Sequence, residues 1–279
     1  MKLKINKIVK NIYKDGYYVV KNVLTDKKCN KMVKSLENLK KKVFKNKHYK
    51  DECSKLGQIV IRDLVLREPE VFLSLIDKKL IINVLNKIFK DTFILDNCMA
   101  SNSILVDKKK NKALVHIDSH LSCKENQNTS DIVVMYCFDN FTKNNGATKI
   151  WPKSHLSGIR IQNEKRFLKN RINKFRYVAA PKGSLVFFLG QTWHQIGRNI
   201  DGKDRWGILC HYKRWWIKPS TDFTKCGLNI FKILNNKQKE LFGFNSISPK
   251  FNFKKQTRNL KTLRKVIKLK SQYSKVLQY

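Results

Sequence analysis

In the stretch Ala113-Leu114-Val115-His116-Ile117-Asp118, an imidazole and a carboxylate stand two residues apart. In an extended strand, residues i and i+2 point to the same side, so His116 and Asp118 would be presented together. That is two-thirds of a two-histidine, one-carboxylate metal site, the ligand set that leaves open positions on non-haem Fe(II). Alone the pair is weak: with six His and 21 acidic residues in 279, chance supplies an H-x-acid about 0.4 times. A third ligand must come from elsewhere in the fold. His194 is the candidate, because it follows a strong apolar strand and its turn, and Arg205 follows eleven residues later at the start of another strand. A hairpin of that length would face both side chains to one interior. The planar arginine fork suits a carboxylate held by two parallel hydrogen bonds, and it stays charged when buried.

The elements that must position these residues fall into two groups. Residues 5–13 carry an amphipathic helical pattern, Asp15-Gly16 turns the chain, and Tyr17-Tyr18-Val19-Val20 reads as a strand. Thr25 is a helix N-cap before Met32, Val33, Leu36 and Leu39 at spacings of three and four. Residues 51–68 are ambiguous, and residues 69–89 form a second helical region broken near Asp77. After Lys90 the pattern changes to short strands, expected at Thr92–Leu95, Ser103–Val106, Ala113–Asp118, Ile132–Phe138, Thr148–Trp151, Tyr177–Ala179, Ser184–Leu189 and Arg205–Tyr212. Strands this short and close imply an antiparallel sandwich or barrel, with the earlier helices packed on one face. The fold class is therefore mainly β with flanking helices, an α+β chain. Its expected division is one domain over residues 1–227, with helices to about 90 and a β-core over about 91–215, followed by a basic helical or irregular extension over 228–279.

Composition limits the partners. The formal charge of +38 points at first to nucleic acid or an acidic membrane. Yet residues 1–50 hold 16 Lys against three acids, whereas residues 113–160 hold five basic and four acidic residues. The excess is on the flanks, is nearly all lysine, and reads as solvated surface, so no specific nucleic-acid partner is expected. The basic segment Ser157–Lys174, with Arg160, Lys165, Arg166, Lys169 and Arg171, is a candidate lid over the barrel mouth that would reach an anionic small-molecule substrate. Seven cysteines, odd in number and without a C-x-x-C pair, indicate neither a disulfide framework nor zinc. The opening residues lack the apolar run of a signal peptide, and no stretch approaches the ~18 apolar residues of a membrane span. A cytoplasmic protein is the expectation, with the oligomeric state open.

Three further segments carry a family resemblance. They are Phe138 to Thr148, containing Asn145-Gly146-Ala147-Thr148; Trp151-Pro152-Lys153-Ser154-His155; and Trp193-His194 through Asn199 to Arg205. With the H-x-D at His116 and Asp118, their order and spacing resemble the signature of the phytanoyl-CoA dioxygenase family, over about residues 5–250. The resemblance implies a double-stranded β-helix, or cupin-like jelly roll, and an Fe(II)- and 2-oxoglutarate-dependent dioxygenase that uses O2, with ascorbate as a reductant. It implies His116, Asp118 and His194 as iron ligands and catalytic residues, Arg205 as the clamp on the distal carboxylate of 2-oxoglutarate, and Asn102 as a cosubstrate contact, with a satisfied strand asparagine as the alternative reading of that residue. His155 would be structural, and Asn199 would fix the loop before Arg205. The carboxylate at Asp118 favours hydroxylation over halogenation. Two positions depart from the family pattern: Lys153 replaces the glycine of P-G-S-H, and Gly183-Ser184 replaces G-D. The competing class is a non-enzymatic anion-binding protein on a degenerate barrel. A metal-dependent isomerase or hydrolase is a third reading, in which Arg205 would have no use.

Overall fold

The computed structural model describes residues 2–105, 113–119, 121, 129–164, 166, 169, 173–247, 250–252 and 257–259. The chain opens with helix α1 (Lys2–Asp15), whose Ile8, Val9 and Ile12 form one buried stripe. Gly16 ends it at φ +85°, where a side chain would strike His155 and Thr192. Strand β1 (Tyr17–Val20) follows, then α2 (Asp26–Val43), capped by Thr25 and burying Cys29, Met32, Leu36 and Leu39. The ambiguous stretch resolves into α3 (Lys47–Leu56), β2 (Gln58–Ile61) and α4 (Leu64–Arg67). Helices α5 (Pro69–Ile76) and α6 (Lys79–Phe89) meet at the expected break.

Strand β3 (Phe93–Ser103) is one continuous element, where two strands, Thr92–Leu95 and Ser103–Val106, were expected. The polar run Asp96-Asn97 and Ser101-Asn102 reads as a break, but a register shift between Leu95 and Asn97 absorbs it. Then come β4 (Asp131–Cys137), β5 (Lys149–Ile150), β6 (Arg176–Tyr177), β7 (Leu185–Leu189), β8 (His194–Gln195) and β9 (Arg205–Arg214). The expected strand Ala113–Asp118 is instead irregular, joined by a single antiparallel bridge between His116 and His194. Helices α7 (Leu228–Ile233) and α8 (Asn236–Leu241) and the hairpin β10 (Lys250–Asn252) with β11 (Thr257–Asn259) end the described chain. Leu234, Leu241, Phe242 and Phe244 join the main core.

Six strands form an antiparallel sheet in the order β1-β7-β4-β9-β3-β2, and three make a small sheet, β6-β5-β8. One face of the large sheet packs on the helices through Leu95, Cys98, Ala100, Val134, Tyr136, Ile208 and Tyr212. The Tyr136 and Tyr212 hydroxyls donate to the carbonyls of Leu75 and Ile76, 2.6 and 2.7 Å away, which satisfies free carbonyls at the end of α5. The other face carries Val133, Met135, Val186 and Phe188, packed with Ile150 of β5 and Val178 beside β6. A cavity opens between the two layers.

Candidate functional site

The bridge between His116 and His194 is reciprocal, each backbone N–H donating to the other's carbonyl at 3.0 Å. Asp118 N–H donates to Gly190 O at 2.9 Å, so the metal-ligand types of the 116–118 segment are pinned to the end of β7 and the start of β8. Each imidazole is then oriented by a carbonyl. His116 Nδ1 lies 3.0 Å from Leu114 O, and His194 Nδ1 lies 2.9 Å from Thr192 O. A carbonyl only accepts, so both rings carry the proton on Nδ1 and turn a lone pair on Nε2 inward. Those Nε2 atoms stand 3.6 and 3.4 Å from the Asp118 oxygens. One ligand atom from each of the three residues falls within 4.8 Å of the others.

The ionisation states of His194 and Asp118 suit a cation, which at His116 would compete with a proton. Burial lowers His194 to about 4, against the raising effect of Asp118, so its ring is neutral at ordinary pH. Burial would raise Asp118, but the surrounding imidazoles, His194 first and then His116 and His211, hold it below the usual carboxylate range. Burial would lower His116, and the hydrogen bond and charge of Asp118 overcome that and raise it. Asp118 Oδ2 is buried with no hydrogen-bond partner. Two imidazole lone pairs and a carboxylate converging on one point repel one another unless a cation stands between them, and a divalent ion fits that donor set.

The same cavity, about 590 Å³, is lined at another position by Arg205. Arg205 is 1% exposed and makes no ion pair among the described residues. One guanidinium nitrogen donates to Gly146 O at 3.0 Å, the group stacks 4.0 Å from the Phe141 ring centroid, and Nε has no partner. Burial lowers its pKa to about 10, so it stays charged near neutrality. Gly146 allows this close approach: at φ +85°, a side chain there would meet Ser103 Oγ. Asn199 holds the loop before Arg205 by donating to Ser103 O and Lys203 O at 3.0 and 2.7 Å. His155 binds Tyr13 O at 2.9 Å, away from the cavity.

Asn102 is not brought to the cavity. Beyond the bulge, Asn97, Met99 and Ser101 face the cavity, so Asn102 points to the other side. Its amide donates to Asp204 and accepts from Arg205 N–H, both at 3.1 Å. The expected contact with a cosubstrate is thus replaced by support for the backbone of Arg205. In the segment 157–174, Lys165 and Arg171 lie outside the described residues. Arg166 pairs with Glu164 at 3.2 Å, and of this segment Gln162 lines the cavity, clamping Ile117 N and O at 3.2 Å each. Lys153 keeps the turn of the missing glycine by adopting φ +65°. Two cavity residues escaped the sequence reading. His211 has Nδ1 4.0 Å from Asp118 Oδ2, and Asn97 is its cross-strand neighbour. Strand alternation from Arg205 would have found His211, six residues on and on the same face.

Fold and site together define a helix-backed antiparallel β-protein with a two-histidine, one-carboxylate centre. The chain belongs to the phytanoyl-CoA dioxygenase family, whose model matches residues 12–207. Among solved structures it is similar to HygX from Streptomyces hygroscopicus with nickel and 2-oxoglutarate bound: TM-score 0.60, 11% identity, covering 76% of this chain and 88% of that one. It is also similar to SnoN, a non-heme alpha ketoglutarate dependent epimerase from nogalamycin biosynthesis: TM-score 0.55, 14% identity, covering 79% and 87%. The uncharacterized protein Rv1501 of Mycobacterium tuberculosis is 31% identical over 96 residues, 34% of this chain, and the chain spans 33% of that protein's length. The uncharacterized protein Mb1539 of Mycobacterium bovis matches to the same extent. No helix among the described residues is long and apolar enough to cross a membrane.

Proposed function

We propose that this protein is an Fe(II)- and 2-oxoglutarate-dependent oxygenase, built on a double-stranded β-helix, that hydroxylates a C–H bond of a small-molecule substrate in the cytoplasm. The observation that carries this reading is one cavity holding three convergent ligand atoms and, apart from them, a buried arginine whose Nε has no hydrogen-bond partner among the described residues. Iron and 2-oxoglutarate, when bound, supply an oxidation in which O2 is consumed and 2-oxoglutarate leaves as succinate and CO2. His116, Asp118 and His194 would hold the metal from one side and leave its other positions free. Arg205, fixed by Gly146 O and Phe141, would bind the distal carboxylate of 2-oxoglutarate and neutralise a charge that the apolar wall cannot. Met135, Phe188 and Leu209 line that wall and keep water from the reacting centre.

The test is turnover. Protein reconstituted with Fe(II) and ascorbate is expected to convert 2-oxoglutarate to succinate slowly without substrate. Folded His116→Ala and Asp118→Ala variants are expected to lose that activity. Succinate formation unchanged in both variants would overturn the assignment of ligands.

A further inference from the structure

Apart from the metal ligands and Arg205, two buried side chains in the cavity end in polar atoms without a hydrogen-bond partner among the described residues. Asn97 and His211 face each other across β3 and β9, are 8% and 7% exposed, and leave Asn97 Oδ1 and His211 Nε2 unsatisfied. Chemistry fixes the Asn97 amide. Its Nδ2 lies 3.1 Å from Asp96 Oδ2, and a carboxylate only accepts, so the oxygen is the end left open. Asp96 has no capacity to spare: it also takes the Lys213 ammonium at 2.8 Å and the Ser220 hydroxyl at 3.0 Å, with Ser220 N–H as a further donor.

The bulge at Asp96 creates this arrangement. Before it, Phe93 and Leu95 face the helices; after it, Cys98 and Ala100 do. Asn97 is thereby turned into the cavity beside Asp96. On β9, His211 and Arg205 are six residues apart, about 20 Å along a strand, so this pair is separate from the arginine. His211 instead adjoins the metal centre, with Nδ1 4.0 Å from Asp118 Oδ2.

We propose that Asn97 and His211 form the recognition subsite for the primary substrate, and that the group recognised is a hydrogen-bond donor, a hydroxyl or an amine, and not a carboxylate or phosphate. The inference rests on the oxygenase reading for the identity of the neighbouring centre. A hydroxyl donates to Asn97 Oδ1 and accepts from His211 Nε2–H; where Nε2 carries the lone pair instead, an amine donates to both atoms. An anion would set its lone pairs against Asn97 Oδ1, with the Asp118 carboxylate alongside His211. The oxidised carbon then lies close to the one bearing the hydroxyl or amine. This departs from the anionic substrate that the basic segment 157–174 suggested.

The test uses three probes on one ring skeleton: cyclohexanol, cyclohexylamine and cyclohexanecarboxylate. Binding is titrated by saturation-transfer NMR on the Zn(II)-loaded and the metal-free protein, for wild type, Asn97→Leu and His211→Phe. Circular dichroism establishes that each variant is folded. The alcohol and amine are expected to bind wild type at least tenfold tighter than the carboxylate, and each substitution to weaken them about tenfold, the scale of one lost hydrogen bond. If no probe binds, if the carboxylate binds as well as the alcohol, or if alcohol affinity is unmoved in both variants, the subsite is wrong. The oxygenase reading is judged separately, by the charge-transfer absorption of the anaerobic Fe(II) complex with 2-oxoglutarate. Its absence in wild type would sink that reading, while the probe pattern on metal-free protein still decides the subsite.

Discussion

Strand β9 has two faces that follow different rules. Trp206, Ile208, Cys210 and Tyr212 face the helices in the main core, and their polar atoms find partners: Trp206 Nε1 donates to Glu37 at 2.6 Å and Tyr212 to Ile76 O. One residue out of phase, Arg205, Leu209 and His211 face the cavity, where Arg205 Nε and His211 Nε2 are buried without a hydrogen-bond partner among the described residues. A buried polar atom left unsatisfied costs about 1–3 kcal/mol. Folding alone does not reward such atoms, and on this strand they fall on the cavity face, the face that the proposed function assigns to ligands.

Removing side chains from each face separates the two roles. Trp206→Ala should destabilise the fold by about 3–5 kcal/mol, read by denaturant unfolding. Arg205→Met should leave stability equal to wild type or higher, because a desolvated charge without a counter-ion is replaced by apolar volume. If Arg205→Met destabilises as much as Trp206→Ala, the contrast between the faces fails.

The cavity face also holds one satisfied ion pair, Asp96 with Lys213. Burial would raise Asp96, but Lys213 and Ser220 lower it below the usual range. Its stabilising contribution is therefore fully present above about pH 4, the unfolded carboxylate value, and lost as pH falls through the lower folded value. Asp96→Asn should cost about 3 kcal/mol at neutral pH by leaving Lys213 buried and unpaired. It should also remove part of the acid-induced loss, measured by unfolding across pH 2–7. The smallest effect is expected at Lys153, away from both faces. Lys153→Gly relieves φ +65° and should stabilise by roughly 0.5–1 kcal/mol, a rise of a few degrees in Tm.

His116, Asp118, His194 and Arg205 were legible in the sequence because their types and spacing match a chemistry. Of the large sheet, β1, β4, β7 and β9 were legible from β-branched and aromatic runs, whereas β2 lay in the ambiguous stretch and only the two ends of β3 were read. Residues 97–103 could not be assigned to faces, since one bulge at an unknown place inverts the alternation beyond it; Asn102 therefore stood open between a cosubstrate contact and a satisfied strand asparagine, and its bonds to Asp204 and Arg205 N–H support the second. The irregular path of Ala113–Asp118 was equally hidden: its position is set by bonds to Gly190 and His194, far along the chain. His211 was within reach, because no bulge separates it from Arg205 in the register with β4 or β3 after Asn97.

Asp118 Oδ2 and Arg205 Nε, two of the buried cavity atoms without a hydrogen-bond partner among the described residues, are proposed to serve a metal and a diacid. Anaerobic calorimetry of 2-oxoglutarate against the Fe(II)-loaded protein, wild type and Arg205→Met, tests this proposal most directly. Wild type is expected to bind one equivalent, and Arg205→Met to lose about ten- to 100-fold in affinity, the scale of charge-assisted hydrogen bonds. Equal affinity for the two proteins, or no binding to wild type, would contradict it.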